Sequence, residues 1–246
     1  MLRQAGNRAG APFAAIAAVV ALLSPGPGRA ADGEARLACL RARDAATSIS
    51  ACSAVLKEDP RDIVALNHRG NGHRVAGSVD AAIADHTAAI AIDPRFAVAY
   101  AGRCLDHLAK GDPAAALADC NAALGINPKL AGALVGRGMA LARQGNFEAA
   151  IRDHGEAIRL NGRNAAAYNA RAWAHLKSGN RAEALADVGK ALELSPGDAA
   201  ALDTRGHVHE AMGRRAEAIA DYRAALRAAP GLPESLEGLR RLKAKP

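Results

Sequence analysis

Proline returns on a 34-residue register, at Pro60, Pro94, Pro128, Pro196 and Pro230, with Gly162 alone breaking the series. A period of this length marks one supersecondary unit that cannot bury its apolar face by itself, so neighbouring units must stack into a shared core. With proline set at position 32, five full units run 63–96, 97–130, 131–164, 165–198 and 199–232, after a degenerate first unit that ends at residue 62. Position 15 is glycine in all five (Gly77, Gly111, Gly145, Gly179, Gly213), where a helix must stop and the chain reverse. Positions 20 and 27 are alanine throughout and position 8 is small, which lets two helix backbones approach closely. Proline at 32 ends the second helix of each unit. The predicted fold is therefore all-α, a solenoid of stacked antiparallel helix pairs. Residues 233–246, with Leu236, Leu239 and Leu242 on one helical stripe, read as a C-terminal capping helix.

The start of the chain follows another logic. Arg3 and Arg8 precede an apolar run from Ala11 to Leu23, and a Ser24-Pro25-Gly26-Pro27-Gly28 breaker follows. This is the pattern of a secretory signal peptide over residues 1–30, with small residues at Gly28 and Ala30 favouring cleavage after Ala30. The run is shorter than the ~17–25 residues of a spanning helix. The expected product is a periplasmic or secreted chain with no integral membrane segment, opening on a degenerate repeat over 31–62. Loss of Arg3, Arg8 and Arg29 leaves 29 basic against 25 acidic side chains, so the formal net charge falls from +7 to +4. With aromatics at 3% and basic residues spread through every unit, neither a stacking platform nor a phosphate-tracking stripe is present, and nucleic acid is not an expected partner.

The pattern from residue 63 onward resembles the tetratricopeptide repeat family: a bulky residue at position 4 (Leu66, Tyr100, Leu134, Tyr168, Leu202), small ones at 8, 20 and 27, and proline at 32. The resemblance implies a right-handed superhelix whose first helices line a concave surface through positions 2, 5, 6, 9, 12 and 13. Carried onto this chain, the central repeats present Val98, Ala101, Leu105, Leu108, Val135, Met139, Ala142, Trp173 and Leu176, an apolar strip holding the only tryptophan. The first full repeat offers Asn67, His68, Asn71 and Arg74, and the last Asp203, Thr204, His207 and Glu210, as polar rims. The implied function is a non-enzymatic scaffold in the bacterial envelope that takes a peptide or partner protein along this strip, with the monomer the favoured state. The alternatives are a protein that self-associates through the same strip and a histidine-based metal-binding module.

Positions 11 and 24 depart from the family, carrying His73, His107, Leu141, His175 and His209, and His86, Cys120, His154, Val188 and Tyr222. Copies of one position lie roughly 10 Å apart in a helical stack, too far to share a zinc ion. These histidines are expected to replace family aromatics, with no metal and no cofactor. No nucleophile, acid and base set, phosphate loop or His-Glu-x-x-His motif occurs, so no catalytic residue is assigned. Arginine recurs at position 7 and aspartate at position 23 in every full repeat, which predicts a ladder of ion pairs within or between repeats.

Export would place four cysteines in an oxidising compartment. Cys39 and Cys52, at positions 11 and 24, would be offset by ~10 Å along a regular hairpin, beyond disulfide reach. The first unit carries Arg43 in place of the glycine, which leaves room for an irregular hairpin, and small exported bacterial repeat proteins resembling this one open with such a pair. Cys104 and Cys120 are expected to serve rather as small core residues.

Overall fold

A computed structural model describes the backbone from Pro27 to Pro246 and side chains from Gly33 onward. The expected signal segment therefore lies, up to residue 26, outside the described residues. Within them the chain forms thirteen helices and no strand. Six hairpins follow one another: α1 (Pro27–Arg41) with α2 (Ala45–Glu58), α3 (Ile63–Val75) with α4 (Val79–Ile92), α5 (Ala97–Lys110) with α6 (Pro113–Ile126), α7 (Ala131–Arg143) with α8 (Phe147–Leu160), α9 (Ala165–Lys177) with α10 (Arg181–Leu194), and α11 (Ala199–Ala211) with α12 (Arg215–Ala228). A last helix, α13 (Pro233–Arg241), packs on the end.

The hairpin turns show why glycine recurs. Gly77, Gly111, Gly145, Gly179 and Gly213 all adopt positive φ, between 73° and 87°, a region costly for side chains with a Cβ. The residue after each glycine then donates its N–H to the position-11 carbonyl, as Asp112 does to His107 at 2.9 Å and Asn146 to Leu141 at 2.9 Å. These bonds satisfy carbonyls that the helix end would leave orphaned. Several first-turn amides are capped by side chains too: Asp62 accepts from Val64 and Ala65, Asp112 from Ala115, and Asn146 from Ala149. Gly162, which breaks the proline register, keeps the same turn, since Asn164 still donates to the Asn161 carbonyl at 3.1 Å.

Each odd-numbered helix touches the next odd-numbered one, whereas no two even-numbered helices meet. The odd helices thus crowd the inside of the curve and the even ones splay on the outside, which gives the solenoid its hollow. Between the layers the position-20 alanines (Ala82, Ala116, Ala150, Ala184, Ala218) are fully buried, as are the alanines at position 27. The bulk at position 24 is matched by glycine opposite it. A Cβ added at Gly70 or Gly102 would come within 3 Å of the His86 ring, at Gly138 within 3 Å of His154, and at Gly206 or Gly238 within 3 Å of Tyr222. Position 24 is therefore a knob, and its socket is built from position 8 of the same hairpin and the inner helix of the next.

Both cysteine pairs are joined. Cys39 and Cys52 are disulfide-bonded with Cα atoms 4.7 Å apart, and Arg43 keeps negative φ, so this first connection departs from the glycine turn of the others. Cys104 and Cys120 are also bonded, Cα–Cα 5.5 Å, which corrects the expectation of free core thiols. The reason is the register of the hairpin. A connection over positions 14–16 centres the fold-back on 15, so position 8 faces 22 and lies two residues, or ~3 Å along the axis, from facing 24.

Candidate functional site

The same centre puts position 7 directly across from 23, and the Arg–Asp ladder lies within repeats. Each arginine grips its aspartate through Nε and Nη2: Arg69–Asp85, Arg103–Asp119, Arg137–Asp153, Arg171–Asp187 and Arg205–Asp221, all at 2.6–2.9 Å. Three arginines use Nη1 to reach position 25 of the preceding repeat, at Ser53 (3.4 Å), Thr87 (3.1 Å) and Asn121 (3.2 Å). The position-25 partner is glycine for Arg171 and Arg205, namely Gly155 and Gly189. The position-11 histidines flank the ladder, with His73, His107, His175 and His209 Nε2 at 3.5–3.9 Å from the same aspartates. Burial lowers the pKa of His209, outweighing the pull of Asp221. These histidines brace a structural ion pair, and among the described residues no group of three or more His, Cys, Asp or Glu side chains is placed to hold a metal ion.

The inner surface is not one continuous strip. At its N-terminal end Asn67 is buried, Asn71 accepts from Arg74 at 3.1 Å, and the Arg74 guanidinium lies 3.4 Å from Asp106. Asp106 in turn is bonded to His86 at 2.6 Å, both fully buried. Ala101 and Leu108 are core residues, Leu108 and Leu105 packing around the Cys104–Cys120 bond with Met139, while Val98 is exposed. Leu176 is half-buried. At the C-terminal end the expected polar rim is occupied by the chain itself. Ser235 of α13 donates to Asp203 at 2.6 Å, and Arg241 holds Glu210 through Nε (3.1 Å) and Nη2 (2.9 Å). Tyr222 completes that lock by donating to Glu210 at 2.6 Å.

Between these closed ends the hollow opens. A groove of about 500 Å³ runs across α7, α9 and the start of α11, bringing together Val135, Met139, Ala142 and Trp173 from the predicted strip. Its size is that of a small-ligand or side-chain pocket. Trp173 meets His207 in a T-shaped contact, ring centroids 5.4 Å apart, and carries the Lys177 ammonium 4.5 Å from its own centroid. The groove is also lined by Arg143, Phe147, His154, Asn169 and Lys177, which sequence reasoning did not assign. Arg143 and Lys177 occupy position 13, already on the concave face. His154 comes from the outer helix α8, and it is seen from inside because Gly138 and Ala170 opposite it are small. Burial holds its imidazole down, at a pKa of about 4, against a partial opposing pull from Asp153.

No curated protein matches the chain in sequence. Many solved structures share its fold, and three of them illustrate the likeness. A chain of the APC/C hetero-tetramer Cut9–Hcn1 superposes with a TM-score of 0.72 at 18% identity, covering 80% of this chain and 39% of that one. PilW, a widely conserved type IV pilus biogenesis factor, superposes at 0.69 and 18% identity over 87% of this chain and 99% of its own. A thermophilic protein of the same repeat type from Thermus thermophilus gives 0.63 and 25% identity over 72% of this chain and 95% of its own. This chain thus spans well under half of the first and nearly all of the other two. No helix among the described residues is long and apolar enough to cross a membrane. The tetratricopeptide repeat model matches over residues 102–167, 135–199 and 169–233, more than half of the chain, and with the hairpin solenoid this places the protein in the tetratricopeptide repeat family.

Proposed function

We propose that this protein is an exported, non-enzymatic scaffold that binds a segment of a partner polypeptide in the groove formed by α7, α9 and α11. The observation that carries the reading is the groove itself: an apolar hollow around Trp173, left open between a first half closed by Arg74, Asp106 and the Cys104–Cys120 bond and a last repeat closed by α13. An aromatic anchor with half-buried aliphatic neighbours is the composition of a recognition hot spot. Export rests on the leader pattern of residues 1–30 and is in keeping with two disulfides. Cleavage after Ala30 would start the mature chain at Ala31, the fifth residue of α1.

Affinity capture from an envelope extract, with the mature chain against Trp173→Ala, tests the binding face. Capture that survives the substitution, with helicity unchanged in both, would move the site elsewhere. Sedimentation of the mature chain tests the monomer, and N-terminal sequencing of the exported protein tests the cut.

A further inference from the structure

The groove is more than an apolar surface. His154 lines it with only 1% of its surface exposed, and its Nδ1 has no hydrogen-bond partner. Asn169 lines it as well, and its Oδ1 is likewise buried without a donor. A neutral imidazole has one nitrogen that accepts and one that donates, and an amide oxygen only accepts, so this wall holds acceptors that no donor of the chain fills. Charge is also uncompensated. Arg143, which donates to the Leu108 carbonyl, and Lys177 meet no carboxylate among the described residues, and the one acidic lining residue, Asp198, is engaged as N-cap of α11 through the Ala201 amide at 2.8 Å.

Resting on the binding role proposed above, we infer that the groove selects a partner segment that inserts a tyrosine side chain and carries an acidic residue beside it. The ring fills the apolar space between Met139 and Trp173, and the phenol O–H donates to His154 or Asn169. Serine and threonine offer the donor without the apolar body. Phenylalanine offers the body and leaves both acceptors orphaned, the situation in which a site built for a hydroxyl rejects its deoxy analogue. Lysine and arginine bring donors but are repelled by Arg143 and Lys177. The neighbouring carboxylate faces those two cations, which end α7 and α9 along one edge of the groove.

A random dodecapeptide display library panned on the full mature chain supplies the probe, with binding of the resynthesised peptides followed by isothermal titration calorimetry, which reads the Trp173→Ala chain as well. The expected consensus contains tyrosine next to Asp or Glu. Tyrosine-to-phenylalanine replacement in the peptide weakens binding by about tenfold or more. The Arg143→Gln/Lys177→Gln double variant also weakens it by about tenfold and loses most of its salt dependence. His154→Leu, checked for unchanged helicity, shifts preference toward the phenylalanine peptide. Equal binding of the tyrosine and phenylalanine peptides, as would occur if a buried water served the acceptors, or a basic consensus, overturns this inference while Trp173 dependence keeps the groove. Binders indifferent to Trp173→Ala, or no binders, overturn the groove reading with it.

Discussion

Repeat 131–164 is the place to measure what the Arg–Asp ladder contributes, because there alone no position-11 histidine flanks the aspartate: position 11 is Leu141. Arg137 meets Asp153 through two bonds of 2.7 Å, with the aspartate side chain 11% exposed and the arginine 30%. A fully exposed pair would contribute ~0–1 kcal/mol, and breaking a fully buried one would cost ~3–5 kcal/mol. With the carboxylate nearly buried and the guanidinium partly wet, Arg137→Met should cost about 2–4 kcal/mol, since it strands a charge. Asp153→Asn should cost about 1–3 kcal/mol, and the double variant less than the two together. The coupling expected from urea unfolding of the four chains is about 1.5–3 kcal/mol, scored only where their m-values agree, because a repeat array can lose two-state behaviour. A coupling below about 0.5 kcal/mol would refute the reasoning and reduce the ladder to surface decoration. The companion substitution Arg171→Met should cost less, because Asp187 keeps His175 at 3.8 Å.

Gly155→Asn, which copies Asn121 one repeat earlier, should stabilise the chain by about 0.3 kcal/mol through helix propensity alone, and by about 1 kcal/mol if Arg171 Nη1 finds the new oxygen; a lowered melting temperature contradicts this. Gly102→Ala should destabilise by about 1–3 kcal/mol, because the added methyl meets the buried His86 ring, whose position Asp106 fixes, whereas Gly189→Ala, with open space around it, should be neutral or stabilising. The folded pKa of His154, about 4, lies below its ordinary 6.5, so between these values the unfolded chain binds more protons. Stability should thus be complete above about pH 6.5 and fall toward pH 4, His154 accounting for about 3 kcal/mol, and His154→Leu should flatten that window in pH-dependent urea unfolding.

What was legible in the sequence is what repeats. Helix ends, glycine turns and the small positions follow from local rules that each 34-residue unit states again, and five recurrences of Arg at 7 and Asp at 23 were enough to foresee their pairing. The partners across a hairpin were harder. Placing position 8 opposite 20 centres the fold-back one residue too early, which separates Cys104 from Cys120 on paper and hides a bond that a centre at 15 brings within reach. The binding face was legible only in part, because whether an inner position is open depends on what its neighbours have done with the space. Leu108 and Met139 both lie on the expected concave face, yet one is buried beside a disulfide and the other lines the groove.

That dependence explains why the hollow opens where it does. In the first two full repeats the inner layer is closed by polar and covalent ties that face inward: His86 to Asp106, Asp106 to Arg74, and Cys104 to Cys120. In the last, α13 brings Ser235 and Arg241 against the inner helix and satisfies Asp203 and Glu210. Repeats 131–164 and 165–198 have neither device. Their position-24 residues are His154 and Val188, one with an unpartnered nitrogen and one without polar atoms, and neither sends a bond to the inner layer. The groove is therefore the stretch of solenoid in which the knob at position 24 is not tied down from inside. Replacing Ala174, a buried residue of α9 that stands to His154 as Asp106 stands to His86, by aspartate should tie His154 in the same way. The outcome to look for is a His154 that titrates higher, with a narrower groove and weaker ligand binding, and an unchanged histidine titration would show that the tie at His86 needs more than its aspartate.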